Sequence, residues 1–154
     1  MNFDFFSILT SLFGTLFPFF AQKKEVPEVQ KRYEEIRFEV AQALTMYSCY
    51  YHNPVDLADF PDGKLPSQYT NASDKLRELG TKMAALSETL PEKVKDLPIT
   101  TGKMSNVSHY LIGLSNSMTT PYNQSGRSSG ERRAVQEWEK EIRDILNIHE
   151  LNRE

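Results

Sequence analysis

Apolar residues are distributed along this chain in two different ways. Between Phe3 and Ala21, within NFDFFSILTSLFGTLFPFFAQKK, they are nearly continuous, and seven of the nine phenylalanines lie there. Beyond Pro27 they recur at alternating steps of three and four, as on one face of an α-helix. The run PEVQKRYEEIRFEVAQALTMYSCYYH places Val29, Tyr33, Ile36, Val40, Ala43, Leu44, Tyr47 and Tyr51 on one stripe, with Pro27 as a first-turn residue and Pro54 as the stop. NPVDLADFPDGKLPSQY, with three prolines and the Asp62-Gly63 turn signal, is a connector. A second helix is predicted over Ser67 to Leu90, with Ala72, Leu76, Leu79, Met83, Leu86 and Leu90 spaced like a heptad seam.

Residues 91 to 104 read as a loop. In SNVSHYLIGLSNSM a third, shorter helix carries Val107, Leu111, Leu114 and Met118 on one face, although Gly113 and four serines make it a weak helix former. TTPYNQSGRSSG is a link. The last helix, from Gly130 to about Leu151, aligns Val135, Trp138, Ile142, Ile145 and His149. The pattern predicts an all-α chain: an N-terminal transmembrane helix over residues 1–24, then an antiparallel four-helix bundle over 25–154.

The N-terminal segment, as a helix from Phe3 to Ala21, would reach roughly 28 Å, against roughly 30 Å of bilayer hydrocarbon. Its small and polar residues gather on one face, where Ser7, Ser11 and Gly14 suit close packing against copies of the same helix. A helix lying in the membrane interface is the competing reading, although its polar face lacks Lys and Arg. A cleaved signal peptide fits poorly with Asp4 in a leading region free of Lys and Arg. Lys23, Lys24, Lys31 and Arg32 follow the apolar run, which predicts a single-pass inner-membrane protein with its C-terminal domain in the cytoplasm. On that orientation the triplets at Asn71, Asn106 and Asn123 are not glycosylation sites.

Composition narrows the function classes. The 154 residues allow one modest core, and a net charge of −3 argues against bulk nucleic-acid binding. A single cysteine, Cys49, permits neither an internal disulfide nor a thiolate cage. The histidines, His52, His109 and His149, fall on three elements without ligand spacing, so neither a metal nor a cofactor is expected. His109 and Cys49 could meet across the bundle as a thiol–imidazole pair, but ordinary packing accounts for them, and no catalytic residue is assigned. Asp56, Asp59 and Asp62 recur too widely for a calcium loop.

Two surfaces remain as candidates. Tyr33, Tyr47, Tyr50 and Tyr51 could form an aromatic face for a partner or ligand, against the alternative of core packing near a helix end. Arg127, Arg132 and Arg133 flank a glycine-serine link at a helix start, where an anion could be held, against the alternative of a solvated cap beside Glu131. Glu139-Arg143 and Lys140-Asp144 read as routine exposed helix pairs.

The segments RYEEIRFEVAQAL, YYHNP, ASDKLRELGTKMAAL and HYLIGLSNSM resemble those of a loosely defined set of uncharacterised small bacterial proteins with an N-terminal hydrophobic helix and a cytoplasmic helical domain. The resemblance spans roughly residues 30 to 118 and implies a fold and an anchor, with no functional residue attached. The expected function is a non-enzymatic, membrane-anchored scaffold or adaptor that contacts lipid, itself and an unknown protein partner. The alternative is an oligomeric membrane-perturbing effector, for example in anti-phage defence, whose bundle senses a ligand.

Overall fold

A computed structural model of the chain describes residues 5–52, 60, 62–90, 97–119 and 128–148, with side chains from residue 28 onward. Four helices make up the described residues: α1 (Phe5–His52), α2 (Ser67–Glu88), α3 (Thr101–Thr119) and α4 (Ser129–Leu146), with no strand among them. The all-α expectation holds, and the four helices form a bundle. α1 continues through Pro27 without a break, so the boundary expected between residues 24 and 25 falls inside a helix.

Cross-helix bonds give the bundle its directions. Glu39 meets Lys82 while Tyr50 meets Tyr69, so α1 and α2 are antiparallel. Ser73 pairs with Ser115 and Gly80 lies against Ser108, which sets α3 antiparallel to α2. Arg37 reaches Leu146 while His52 reaches Glu139, which sets α4 antiparallel to α1. The helices therefore close a ring in chain order, with α2 and α4 diagonally opposite and sharing no close backbone approach.

The predicted stripes fill the centre. Val40, Leu44, Tyr51, Leu76, Leu79, Met83, Leu111, Leu114 and Ile142 are among the fully buried side chains. Small residues let α2 and α3 approach most closely: a Cβ on Gly80 would lie 3.1 Å from the Ser108 carbonyl. Between them Ser73 Oγ donates to the Ser115 carbonyl at 2.9 Å and shares a bond with Ser115 Oγ, to which Arg77 Nε also donates. No buried side-chain N or O among the described residues lacks a partner, as a packed interior requires.

Helix ends depart from the periodic reading where local hydrogen bonds decide. α3 starts at Thr101, inside the expected loop: Thr100 Oγ1 accepts from the Lys103 N–H at 3.4 Å, and Ile99 and Met104 are buried at the two positions of a hydrophobic staple. α4 starts with a capping box, Ser128 with Glu131. It ends at Leu146, because Asn147 turns left-handed (φ 52°, ψ 47°) and Ile148 N–H returns to the Arg143 carbonyl at 2.9 Å. His149, expected on this helix, lies outside the described residues. The Asp62-Gly63 turn forms as expected, with Gly63 at φ +61° and its N–H on the Phe60 carbonyl.

Candidate functional site

The last turn of α1 and the middle of α4 bring together the polar side chains richest in chemistry. Four residues of α4, Val135, Glu139, Ile142 and Leu146, follow steps of four, three and four, so Glu139 lies on the same face as three buried apolar residues. Its carboxylate is 13% exposed. It accepts from Arg143 Nε at 3.2 Å and Nη2 at 3.0 Å on its own helix, and meets His52 Nε2 at 2.8 Å across to α1. The Tyr51 hydroxyl donates to the Leu44 carbonyl at 3.3 Å and lies close to the Glu139 carboxylate. Burial drives the Tyr51 pKa well above that of a free phenol, with the Glu139 charge adding to the shift, so this hydroxyl stays a donor at any physiological pH.

Beside this cluster a cleft of about 240 Å³ opens between the two helices, walled by Tyr51, His52, Arg132, Val135 and Gln136. Of these Tyr51 and Val135 are buried, while His52, Arg132 and Gln136 are exposed at its rim. None of these five described residues is a Ser, Thr or Cys.

The sequence-predicted residues are dispersed. Arg132 borders the cleft, Arg133 pairs outward with Glu137 at 3.0 Å, and Arg127 lies outside the described residues. Glu131 turns its carboxylate back to the Ser128 N–H at 2.8 Å, so the amide that opens α4 is already satisfied from within the chain. Of the tyrosines, Tyr47 and Tyr50 stack at 6.2 Å and Tyr50 meets Tyr69 at 5.1 Å on the α2 side, whereas Tyr51 is buried toward α4. Tyr33 is buried five turns earlier on α1, and burial raises its pKa. The four do not share one surface. Ser7, Ser11 and Gly14 lie on the helical backbone of α1, but their side chains are outside the described residues.

Cys49 and His109 are both exposed and at different heights. Cys49 adjoins Tyr50, which packs on Tyr69 of α2, while His109 adjoins Ser108, which packs on Gly80, roughly 16 Å further along α2. The thiol–imidazole pair therefore does not form. Among the described residues no group of His, Cys, Asp and Glu is placed to hold a metal ion, and no helix is long and apolar enough to cross a membrane. The apolar stretch from Phe3 to Ala21 lies outside the residues whose side chains are described.

Sequence reasoning missed Glu139 and His52 as partners. Glu139 was assigned to an exposed pair with Arg143, yet the spacing from Val135 to Leu146 already placed it on the buried face. The approach of His52, 87 residues away, has no local signal. The chain matches no protein-family model, no curated protein and no solved structure.

Proposed function

We propose that this chain is a membrane-tethered helical adaptor: an apolar N-terminal helix holds the bundle at the inner membrane on its cytoplasmic side, and the bundle surface makes protein–protein contacts. The observation that carries the proposal is the continuity of α1. The sequence from Phe5 to Ala21, free of charged side chains, is on the same unbroken helix whose residues from Tyr33 to Tyr51 line the bundle core. A tether joined in this way transmits its position and rotation to the domain rather than leaving it on a loose linker.

Further support comes from the outward face of α1, where Phe38 and Met46 are each 63% exposed. Two large apolar side chains, two turns apart on one helix, suit a packing contact with another helix. Self-association through Ser7, Ser11 and Gly14 would bring α1 helices together nearer their N-terminal ends, about 36 Å along the helix from Phe38.

The test is light scattering of the full chain in mild detergent beside a version that starts at Lys24, together with membrane fractionation of both. The proposal expects the full chain in the membrane fraction as a closed oligomer and the shorter version as a soluble, folded monomer. A full chain that stays soluble and monomeric would overturn it. The second reading, an effector whose bundle senses a ligand before the N-terminal helices perturb the bilayer, is favoured by one observation, the cleft beside His52. Leucine at Ser7, Ser11 and Gly14 would then abolish dye leakage while leaving membrane attachment intact.

A further inference from the structure

From Val40 to Tyr51, α1 carries no charged side chain, although Gln42, Thr45, Met46 and Cys49 among them are exposed. With Phe38, three of these form one outward stripe: Phe38, Gln42, Thr45 and Cys49 follow steps of four, three and four on the side of α1 turned away from the core. Met46 flanks the stripe, and it and Phe38 are each 63% exposed. Thr45 Oγ1 donates to the Ala41 carbonyl at 3.0 Å and Cys49 Sγ to the Met46 carbonyl at 3.8 Å, so hydroxyl and thiol both turn back to their own helix. The polar group that the stripe presents outward is the Gln42 amide. A nucleic acid, an acidic peptide or a lipid headgroup finds no charge here to pair with, whereas the stripe matches a copy of itself.

Two features select a second copy as the occupant. The stripe has the steps of a coiled-coil seam, with Gln42 and Cys49 at a and Phe38 and Thr45 at d, and an amide at an a position fixes register by bonding its own counterpart, being donor and acceptor at once. The stripe is also in phase with the N-terminal segment. Ser7 and Gly14 are one heptad apart, and Gly14 and Phe38 are three heptads and one a-to-d step apart, so a parallel left-handed pair keeps both regions on one seam. Between them the same phase carries Lys24, Glu28, Lys31 and Glu35, alternating in sign, so each carboxylate of one copy has a lysine of the other in the next layer.

We infer that this stripe is covered by the same stripe of a second copy, the two α1 helices parallel and in register, with Phe38 against its counterpart, the two Gln42 amides paired and Met46 over the partner's Ala41. The inference rests on the tether reading. Five side chains a copy are far fewer than the roughly 20–30 residues a side of a stable interface, so the pair forms only where the N-terminal helices already hold two copies together.

The chain's only cysteine lies on the stripe, so the test is crosslinking of the full chain in membranes with a short bismaleimide, beside its mass in mild detergent. The expected result is a covalent dimer from the unaltered chain, and from Cys49→Ser variants that also carry Gln42→Cys or Thr45→Cys. Variants that instead carry Asn106→Cys on α3 or Glu141→Cys on α4, both exposed positions, should give at least about tenfold less. Equal crosslinking at every position would mean random collision and would overturn the pairing. So would a dimer from Gln42→Cys without one through Cys49, because an antiparallel pair centred on Gln42 sets the two thiols about 21 Å apart. Phe38→Glu with Met46→Glu, at exposed positions where the fold is not at stake, should slow Cys49 crosslinking at least about tenfold while leaving helicity and membrane attachment unchanged. Undiminished crosslinking in that variant assigns the contact to the N-terminal helices alone and overturns the stripe. An oligomer in detergent that gives no dimer through Cys49 overturns this inference and leaves the tether reading standing, whereas a monomer in detergent overturns both.

Discussion

Gly113 of α3 lies directly under the Trp138 ring of α4: a methyl group at Gly113 would sit 2.9 Å from Cζ3 and 3.0 Å from Cε3. The glycine that weakens α3 as an isolated helix is the one that lets the chain's single tryptophan pack across it. Two effects oppose each other in Gly113→Ala. Helix propensity favours alanine by about 1 kcal/mol, while overpacking costs about 1–3 kcal/mol. The expected result is a net loss of about 1 kcal/mol in urea denaturation, with a shift in Trp138 fluorescence. Gly102, in the first turn of the same helix, has nothing within 4 Å of an added Cβ, so Gly102→Ala should stabilise by up to about 1 kcal/mol. If both substitutions stabilise, the ring does not press on Gly113.

The two interior stripes most legible in the sequence were those of α2 and α3. Leu76, Leu79, Met83, Val107, Leu111 and Leu114 are all fully buried, because a period of 3.6 residues is imposed by the backbone and needs no knowledge of neighbours. The helix ends were legible only where a side chain announces them. Ser128 with Glu131 is a visible capping box, yet extrapolating the apolar period carries the last helix past its left-handed cap at Asn147. Glu139 shows the opposite limit. An acidic residue four positions before an arginine has the pattern of a solvated pair, and only the tertiary approach of α1 reveals that it is buried. The cleft belongs to the same class, since α1 and α4 meet there across more than eighty residues of chain.

Arg37 ties α1 to the end of α4. Its Nε donates to the Leu146 carbonyl at 2.6 Å and its Nη2 to the Asn147 carbonyl at 3.0 Å, while Nη1 holds Glu34 at 2.9 Å. The carbonyls at the end of a helix have no partners within it and carry the negative end of its dipole. Arg37→Met keeps the aliphatic stem and removes the donors, and it should cost about 1–2 kcal/mol. Hydrogen exchange should speed up in the last turn of α4 more than in α2. Uniform acceleration across the bundle would mean that Arg37 acts through general packing instead.

A second tie joins α1 to α2. Glu39 accepts from Lys75 Nζ at 2.7 Å and Lys82 Nζ at 3.3 Å, and Glu78 receives the same two lysines at 3.5 and 2.7 Å. The Lys75 hydrogen bond leads in lowering the Glu39 pKa, and the Lys82 bond leads in lowering that of Glu78; both lysines are raised in turn. Depressed carboxylates stabilise the fold above their unfolded pKa and lose that contribution as pH falls through the folded value. Raised lysines contribute fully below their unfolded pKa and lose it as pH rises through the folded value. The network therefore helps across the neutral range and fades below about pH 4 and above about pH 10.5. All four side chains are a third or more exposed, so solvent screening limits the effect. Glu39→Gln should cost about 0.5–1 kcal/mol at neutral pH and low salt, and less in 1 M NaCl. A cost that is the same at pH 3 as at pH 7 would show that Glu39 contributes by packing and not by charge.

Glu139 is expected to be the most sensitive polar position of the bundle, because it accepts from both helices that bound the cleft. Glu139→Ala leaves Arg143, which is 17% exposed, without its acid, and His52 without the carboxylate at 2.8 Å. Losing one member of a largely buried pair strands the other, and the expected cost is about 3 kcal/mol. His52→Gln should cost less, about 1 kcal/mol, because His52 is 35% exposed and water can replace its bond. Removing both charges together, Glu139→Met with Arg143→Leu, should recover most of the loss, since neither is then left uncompensated. Stability from urea denaturation of the three variants decides the matter. If the double variant is as unstable as Glu139→Ala, the carboxylate is required for its bond to His52, and the α1–α4 contact depends on that polar cluster more than on the apolar stripe beside it.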